Sequence, residues 1–314
     1  MKLSIITINY NNVEGLKKTL ASVAEQGYRD IEHIIIDGGS TDGSVDAIKE
    51  YVAANPNKDP FFKHIIKWVS EKDNGIYNAM NKGIEVALGR RIVNSFNRSE
   101  RSEDKCSEAT RPKQGGVENN VLPDYIQILN SGDILAVSDV TERMIAAVEN
   151  AKYPELIYGN MVKYDYVSNK SLGKSGDTEY SLRQYYRATI NHDCCYFRRN
   201  VFDTYGLYDE KLKIVSDWKW FLQAIGLGKV KPVYVDIDVT IFDASGISET
   251  NLALRNQERR QVLKELLPPA ILADYDKYAF PMEQYNRMKK YHLWPIVYFM
   301  ERVLFKLNKW KILK

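Results

Sequence analysis

Cysteine is scarce in this chain: only Cys106, Cys194 and Cys195 occur among 314 residues, an odd number without a C-x-x-C spacing. That argues against a disulfide framework and against a cysteine-ligated zinc site, and it points to a reducing compartment. No apolar run approaches the roughly 20 residues that span a bilayer. Residues 1–8 enter a strand pattern without the h-region or the small-residue cleavage site of a secretory signal, so a cytoplasmic protein is expected. Charge of one sign is also lacking, since 44 Lys and Arg face 41 Asp and Glu, and the formal +3 gives no global field for nucleic acid. A Gly-x-Ser-x-Gly elbow is missing, which leaves a serine hydrolase unsupported, and the glycine turns lack the Lys of a phosphate-binding loop.

What is present is an alternation of strand and helix patterns in a chain that is 44% apolar, enough for one large core or two modest ones. Residues 3–8 and 31–36 read as buried strands, and Leu16, Leu20 and Val23 recur at helical spacing between them, with Gly27 as the stop. A helix over 44–54 ends at Asn55-Pro56-Asn57, a third strand covers 64–69, and a third helix covers 76–88. This order implies an α/β fold built on a doubly wound parallel sheet. Residues 90–123 interrupt it with charge and Gln114-Gly115-Gly116, and are expected to form a flexible insertion. Strands are then expected at 124–129, 156–158, 194–197, 233–235 and 239–242, with helices at 138–150 and 216–225. Residues 163–178 are polar and turn-rich; from 249 onward the pattern is helical, with breaks at Pro268-Pro269 and Pro281.

Chemistry concentrates where apolar strands end. Ile34-Ile35-Ile36-Asp37-Gly38-Gly39-Ser40-Thr41-Asp42-Gly43 runs from a buried strand into a carboxylate and a glycine turn, and ligands of open α/β sheets bind beyond the carboxyl ends of strands. Leu129-Asn130-Ser131-Gly132-Asp133 repeats the arrangement. A hard divalent cation prefers carboxylate oxygens and retains waters, so Asp133 with substrate phosphates is a candidate Mg2+ or Mn2+ site. Glu71-Lys72-Asp73-Asn74-Gly75-Ile76-Tyr77 leads into the third helix at the same edge, where Asp73 is placed to accept from a base or sugar and Asn81 to position a ligand.

Those motifs, preceded by Thr7-Ile8-Asn9-Tyr10-Asn11 and followed by His192 to Arg199, Tyr205-Gly206-Leu207-Tyr208-Asp209-Glu210, Ser216-Asp217-Trp218 and Gly246-Ile247-Ser248, resemble in order and spacing a family 2 glycosyltransferase with the GT-A fold, of the bacterial polysaccharide type. The resemblance covers about residues 3–248 and implies a mixed sheet flanked by helices. It implies that Thr7, Asn9, Tyr10, Asn11, Asp37, Gly39, Asp73, Tyr77, Asn81, Asn130, Ser131 and Gly132 surround the nucleotide of an activated sugar. It matches Asp133 to the last acid of an Asp-x-Asp metal motif and Asp217 to the general base of inverting enzymes. His192 and Trp218 are implied near the acceptor or the phosphates. The sequence departs at Ser131, where the first metal-motif Asp is common, and at Gly38, where a second Asp often follows Asp37.

The chemistry of these residues agrees with the roles. A metal on Asp133 stabilises a departing diphosphate, and Asp217 can take a proton from an attacking hydroxyl. Residues 289–314 mix aromatics such as Tyr291, Trp294, Phe299 and Trp310 with Lys289, Lys290, Arg302, Lys306 and Lys309, and Glu301 is the only acid. Such a helix suits an anionic membrane surface, or else packs on a protein partner. The resulting expectation is a catalytic domain over 1–248 and a helical, membrane-associated region over 249–314. The activity expected is transfer from a nucleotide sugar, with UDP as the nucleotide, to a saccharide or lipid-linked acceptor in surface polysaccharide synthesis. A non-catalytic nucleotide-sugar sensor and a nucleotidyltransferase are the competing readings.

Overall fold

Every residue of β1 (Leu3–Asn9) and β2 (Ile31–Asp37) is buried, as isoleucine-rich strands are when helices cover both faces of a parallel sheet, and the polar Ser4, Glu32 and His33 are buried with them. The computed structural model describes residues 1–54, 65–91, 93, 123–165, 168–177, 181–243 and 251–312. β1 and β2 are joined through α1 (Val13–Ala24), and α2 (Ser44–Ala54) precedes β3 (Ile65–Ser70). α3 (Ile76–Ala87) and β4 (Tyr125–Asn130) complete the first half. β5 (Ile134–Leu135), α4 (Val140–Asn150), β6 (Leu156–Asp165) and β7 (Lys170–Lys174) follow. Next come α5 (Leu182–Arg187), a short turn at His192–Cys194, β8 (Cys195–Arg198), α6 (Asn200–Tyr205), α7 (Ser216–Phe221) and β9 (Val233–Asp243). The chain closes on α8 (Leu252–Leu266), α9 (Pro269–Lys290) and α10 (Trp294–Ile312).

The strands form one mixed sheet in the order β3-β2-β1-β4-β8-β6-β9-β5, with β7 added to β6. β1 is parallel to both β2 and β4, and β2 to β3, whereas β8 runs antiparallel to β4 and β6. Register places Asn9 beside Asp37 and Asp37 beside Ser70, while Ile8 pairs with Asn130. Four carboxyl ends therefore open on one edge, and the loops rich in acids and amides leave from it. The expected mixed sheet flanked by helices is present.

Packing explains the composition of the second half. Trp220 stands edge-on to Phe197 at 5.4 Å and against Phe202 at 5.5 Å, so the aromatic run of α7 is core. α3 is drawn onto β1 through Gly83, where a Cβ would collide with the Cγ2 of Ile6.

Several sequence expectations change. The polar stretch at 163–178 contains the end of β6 and all of β7, a ribbon whose second strand is exposed throughout, so no apolar alternation marks it. The two short strands at 233–242 are one strand, β9. Its acids Asp236 and Asp238 interrupt the apolar pattern because irregular register beside Asn160 brings both to that amide, at 2.8 and 2.9 Å. Pro268-Pro269 separates α8 from α9 as expected, but α9 continues through Pro281. Nearly all of the expected insertion at 90–123 lies outside the described residues. The chain divides into two compact units, Met1–Arg259 and Arg260–Lys314. Among the described residues no helix is long and apolar enough to cross a membrane.

Gly83→Ala tests the seat of α3. Helix propensity favours Ala by up to about 1 kcal/mol, whereas overpacking a core costs about 1–3 kcal/mol. The expected result is a net loss of about 1 kcal/mol by urea denaturation. An unchanged midpoint would mean that Ile6 gives way freely.

Candidate active site

Asp37 ends β2 fully buried, and its carboxylate is saturated. Oδ1 accepts from Asn9 Nδ2 at 2.8 Å and Ser40 Oγ at 2.6 Å. Oδ2 accepts from the backbone N–H groups of Gly39 and Ser40 and, at 2.6 Å, from Ser70 Oγ. Burial alone raises its pKa, but the Ser40, Ser70 and Asn9 bonds outweigh burial and hold the carboxyl below its ordinary value. Asn11, at φ 47°, donates its backbone N–H to Ser40 Oγ at 2.8 Å and accepts on Oδ1 from Thr41 N at 2.8 Å, tying the β1 loop to this turn. The glycines have separate tasks. Gly39 sits at φ 81°, whereas a Cβ on Gly38 would collide with Asp73 Oδ2.

The turn between β4 and β5 rests on α1. Thr19, buried in that helix, donates to Asp133 O at 2.7 Å and accepts from Gly132 N at 3.0 Å. Asn12, the N-cap of α1, donates to Ser131 O at 3.0 Å. Asp133 is thereby carried to the wall of a cavity of about 570 Å3, within the usual range for a small-ligand site.

Tyr10, which is 65% exposed, and Asp73 line that cavity. His192, Lys213, Ile214 and Asp217 line it too. Asp217 Oδ2 lies 3.3 Å from His192 Nδ1, and Oδ1 lies 3.0 Å from the Tyr77 hydroxyl. His192 Nε2 in turn lies 3.2 Å from Asn130 Nδ2. The two orientations of that amide serve the two states of the ring: Nδ2 donates to a neutral Nε2, and Oδ1 accepts from a protonated one. Burial opposes charge on both His192 and Asp217, yet their hydrogen bond and mutual attraction prevail, raising the imidazole pKa and lowering the carboxyl pKa. Asp193 and Asp133 add to the field that favours imidazolium. Burial, then the Asp217 charge, push the Tyr77 phenol well above its ordinary value, so it stays protonated. A second hollow of about 100 Å3 shares Asn130, Asp133, His192, Asp217 and Phe242 with that cavity.

Of the residues singled out from sequence, Asn9, Tyr10, Asp73, Tyr77, Asn130, Ser131, Gly132, Asp133, His192 and Asp217 meet on this cavity. Six do not line it. Asp37, with Gly39 and Asn11 around it, is the internal tie of the turn rather than an open acceptor, because its lone pairs are taken. Thr7 lies deeper in β1, bonded to His33 Nε2 at 2.9 Å. Asn81 is a strut that donates to Tyr208 O and accepts from Tyr208 N, each at 2.9 Å. Trp218 points into the core and donates to Tyr185 O at 2.6 Å. Sequence reading missed Asn12, Lys213 and Ile214, although Asn12 stands in a recognisable cap position ahead of an apolar helix.

Among the described residues no cluster of three His, Cys, Asp or Glu side chains is arranged to hold a metal by itself. A buried carboxylate at the cavity wall, Asp133, nevertheless suits Mg2+ or Mn2+, which take one or two protein carboxylates and complete their shell from phosphates and water.

Known proteins resemble this chain in sequence and in fold. The model of glycosyl transferase family 2 matches residues 4–95. An uncharacterized glycosyltransferase of Mycobacterium tuberculosis is 27% identical over 252 residues, 78% of this chain and 76% of its own length. A PGL/p-HBAD biosynthesis glycosyltransferase of Mycobacterium bovis is 24% identical over 248 residues, 79% of each. Among solved structures, residues 1–349 of Staphylococcus aureus TarS in complex with UDP-GlcNAc align with a TM-score of 0.57 at 17% identity, over 84% of this chain and 64% of that one. The mannosyltransferase PcManGT from Pyrobaculum calidifontis, in complex with GDP-Man and Mn2+, aligns at 0.55 and 15% identity, over 84% and 63%. This chain thus spans a little under two thirds of the length of both structures, and at these identities the likeness is one of fold.

Asp37→Asn replaces an acceptor-only group by an amide that faces donors, with an expected loss of about 2–3 kcal/mol. The folded carboxyl titrates below its unfolded value of about 3.9, so its contribution is complete above that pH and is lost as pH falls through the folded value. The stability gap between wild type and variant should therefore narrow below about pH 4 in urea denaturation. A gap that stays constant under acid would rule out the charge as its source.

Proposed function

Since the chain is a family 2 glycosyltransferase with the GT-A fold, we propose that it moves a sugar from a nucleotide diphosphate donor, a UDP-sugar by preference, to a hydroxyl of a saccharide or lipid-linked acceptor in cell-surface polysaccharide synthesis. The observation that carries this reading is the position of Asp217: on the cavity shared with Tyr10, Asp73 and Asp133, with both carboxylate oxygens held by neighbours.

The exposed Tyr10 ring offers a stacking face for the base, and Asp73 an acceptor for base or ribose. Asp133 would hold a divalent cation, which when bound supplies Lewis-acid stabilisation of the diphosphate. Asp217 takes the proton of the acceptor hydroxyl as its oxygen bonds to the anomeric carbon and the bond to the diphosphate oxygen breaks on the opposite face. One displacement inverts the centre, and no covalent enzyme intermediate is needed. His192 keeps Asp217 ionised and ready for that proton.

The relatives support a nucleotide-sugar donor. TarS is solved with UDP-GlcNAc and PcManGT with GDP-Man, and the mycobacterial relative is named a PGL/p-HBAD biosynthesis glycosyltransferase. The second unit favours a membrane-bound acceptor. In α10, Ile296, Phe299, Leu304 and Phe305 are exposed beside Arg302 and Lys306, with Lys289, Lys290 and Tyr291 exposed just before it. Apolar and basic groups together suit peripheral attachment to an anionic leaflet.

Asp217→Asn should lower transfer from the accepted donor by about 10²- to 10⁴-fold, while the donor still raises the melting temperature. Asp133→Ala should abolish the part of that thermal shift that depends on Mn2+. Unimpaired turnover by Asp217→Asn would sink the assigned base.

A further inference from the structure

Asp217 is held at its flanks by consecutive residues of α8. Glu258, 6% exposed, accepts from the backbone N–H of Lys213 at 2.7 Å with Oε1, and from that of Ile214 at 2.9 Å with Oε2. Arg259 lies 5.1 Å from the ring of Trp218, the residue after Asp217. The helix therefore fixes the segment that enters α7 on both sides of the carboxylate.

The Glu258 bonds have a chemical consequence at the cavity. Ile214, held by its N–H, turns its carbonyl to the Tyr77 hydroxyl at 2.6 Å, and that hydroxyl is also 3.0 Å from Asp217 Oδ1. A phenol carries one proton, so the carbonyl and the carboxylate compete for it. When Asp217 is ionised, the proton can serve either acceptor. Once Asp217 has taken the acceptor's proton, its O–H can donate to the Tyr77 oxygen while Tyr77 donates to Ile214. No bond beyond these hydrogen bonds changes; the hydroxyl only rotates.

We propose that Glu258 is a positioning residue for the transfer step: by anchoring Ile214 it holds Tyr77 where the phenol can support both protonation states of Asp217. This rests on Asp217 being the base, and it assigns a catalytic consequence to a residue of α8 remote in sequence from every motif of the site. Tyr10, the stacking face for the base, belongs to the β1 loop and not to the chain of bonds from Glu258 through Ile214 to Tyr77, so the influence of Glu258 should fall on turnover and not on donor binding.

The test compares Glu258→Ala, Glu258→Gln, Tyr77→Phe and the Glu258→Ala/Tyr77→Phe double variant in the full chain. Glu258→Ala and Tyr77→Phe should each lower kcat about tenfold with donor KM within about twofold. Glu258→Gln, which keeps one acceptor oxygen, should recover part of the loss. In the Tyr77→Phe background, Glu258→Ala should cost no more than about a further twofold, because the coupled pair is already broken. Fully multiplicative losses, or a loss confined to donor KM, would overturn the proposal. If Glu258→Ala does not fold, the same comparison made with Glu258→Gln decides it. Asp217→Asn run alongside separates the outcomes: undiminished turnover there removes the base itself, whereas a large loss there with multiplicative Glu258 and Tyr77 effects removes only this coupling.

Discussion

The saturated carboxylate of Asp37 is the tie on which the site depends. Three parallel strands end together at this edge, and strand ends are where backbone and loop conformation become negotiable. One buried anion receiving donors from Asn9 of β1, Ser40 of its own turn and Ser70 of β3 fixes their relative advance. The cost of burying that charge is offset by five charge-assisted bonds, which is why the carboxyl stays ionised. Tyr10, the neighbour of Asn9, and Asp73, three residues beyond Ser70, then inherit their places.

Around Asp217 the cavity is organised by a second, different solution. There the anion is not saturated by a turn but shared among side chains from separate parts of the chain: Tyr77 on α3, His192 in the turn before β8, and Asp217 on α7. A carboxylate locked by backbone N–H groups makes a rigid frame, and one held by groups that titrate or rotate can accept a proton. The two aspartates sit in the same fold with divided duties, and their partners account for the division.

Much of this was legible in the sequence, for physical reasons that differ by element. The runs of β1 and β2 are buried on both faces and leave little ambiguity, and the acidic turns after β2 and β4 follow from where such strands must end. Residues assigned by motif alone fared unevenly. Thr7 sits too far back along β1 to reach the edge, Asn81 lies a turn further into α3 than Tyr77, and Trp218, next to Asp217 on a helix, necessarily faces another way. The β6–β7 ribbon was hidden because an exposed two-stranded extension needs no apolar alternation. Glu258 was invisible for a similar reason, since it lies in a densely charged helical stretch, Gln257-Glu258-Arg259-Arg260, where nothing marks one acid as buried.

The bare backbone at Gly38 has a further consequence. With no side chain there, the carboxylate of Asp73 occupies the room that a neighbour on the β2 turn would need. An acid at position 38 would have to push the tip of the Asp73 side chain aside and would set two like charges against each other. A second acid in succession after Asp37 would thus be felt first in the loop after β3, where Asp73 would have to find a new place.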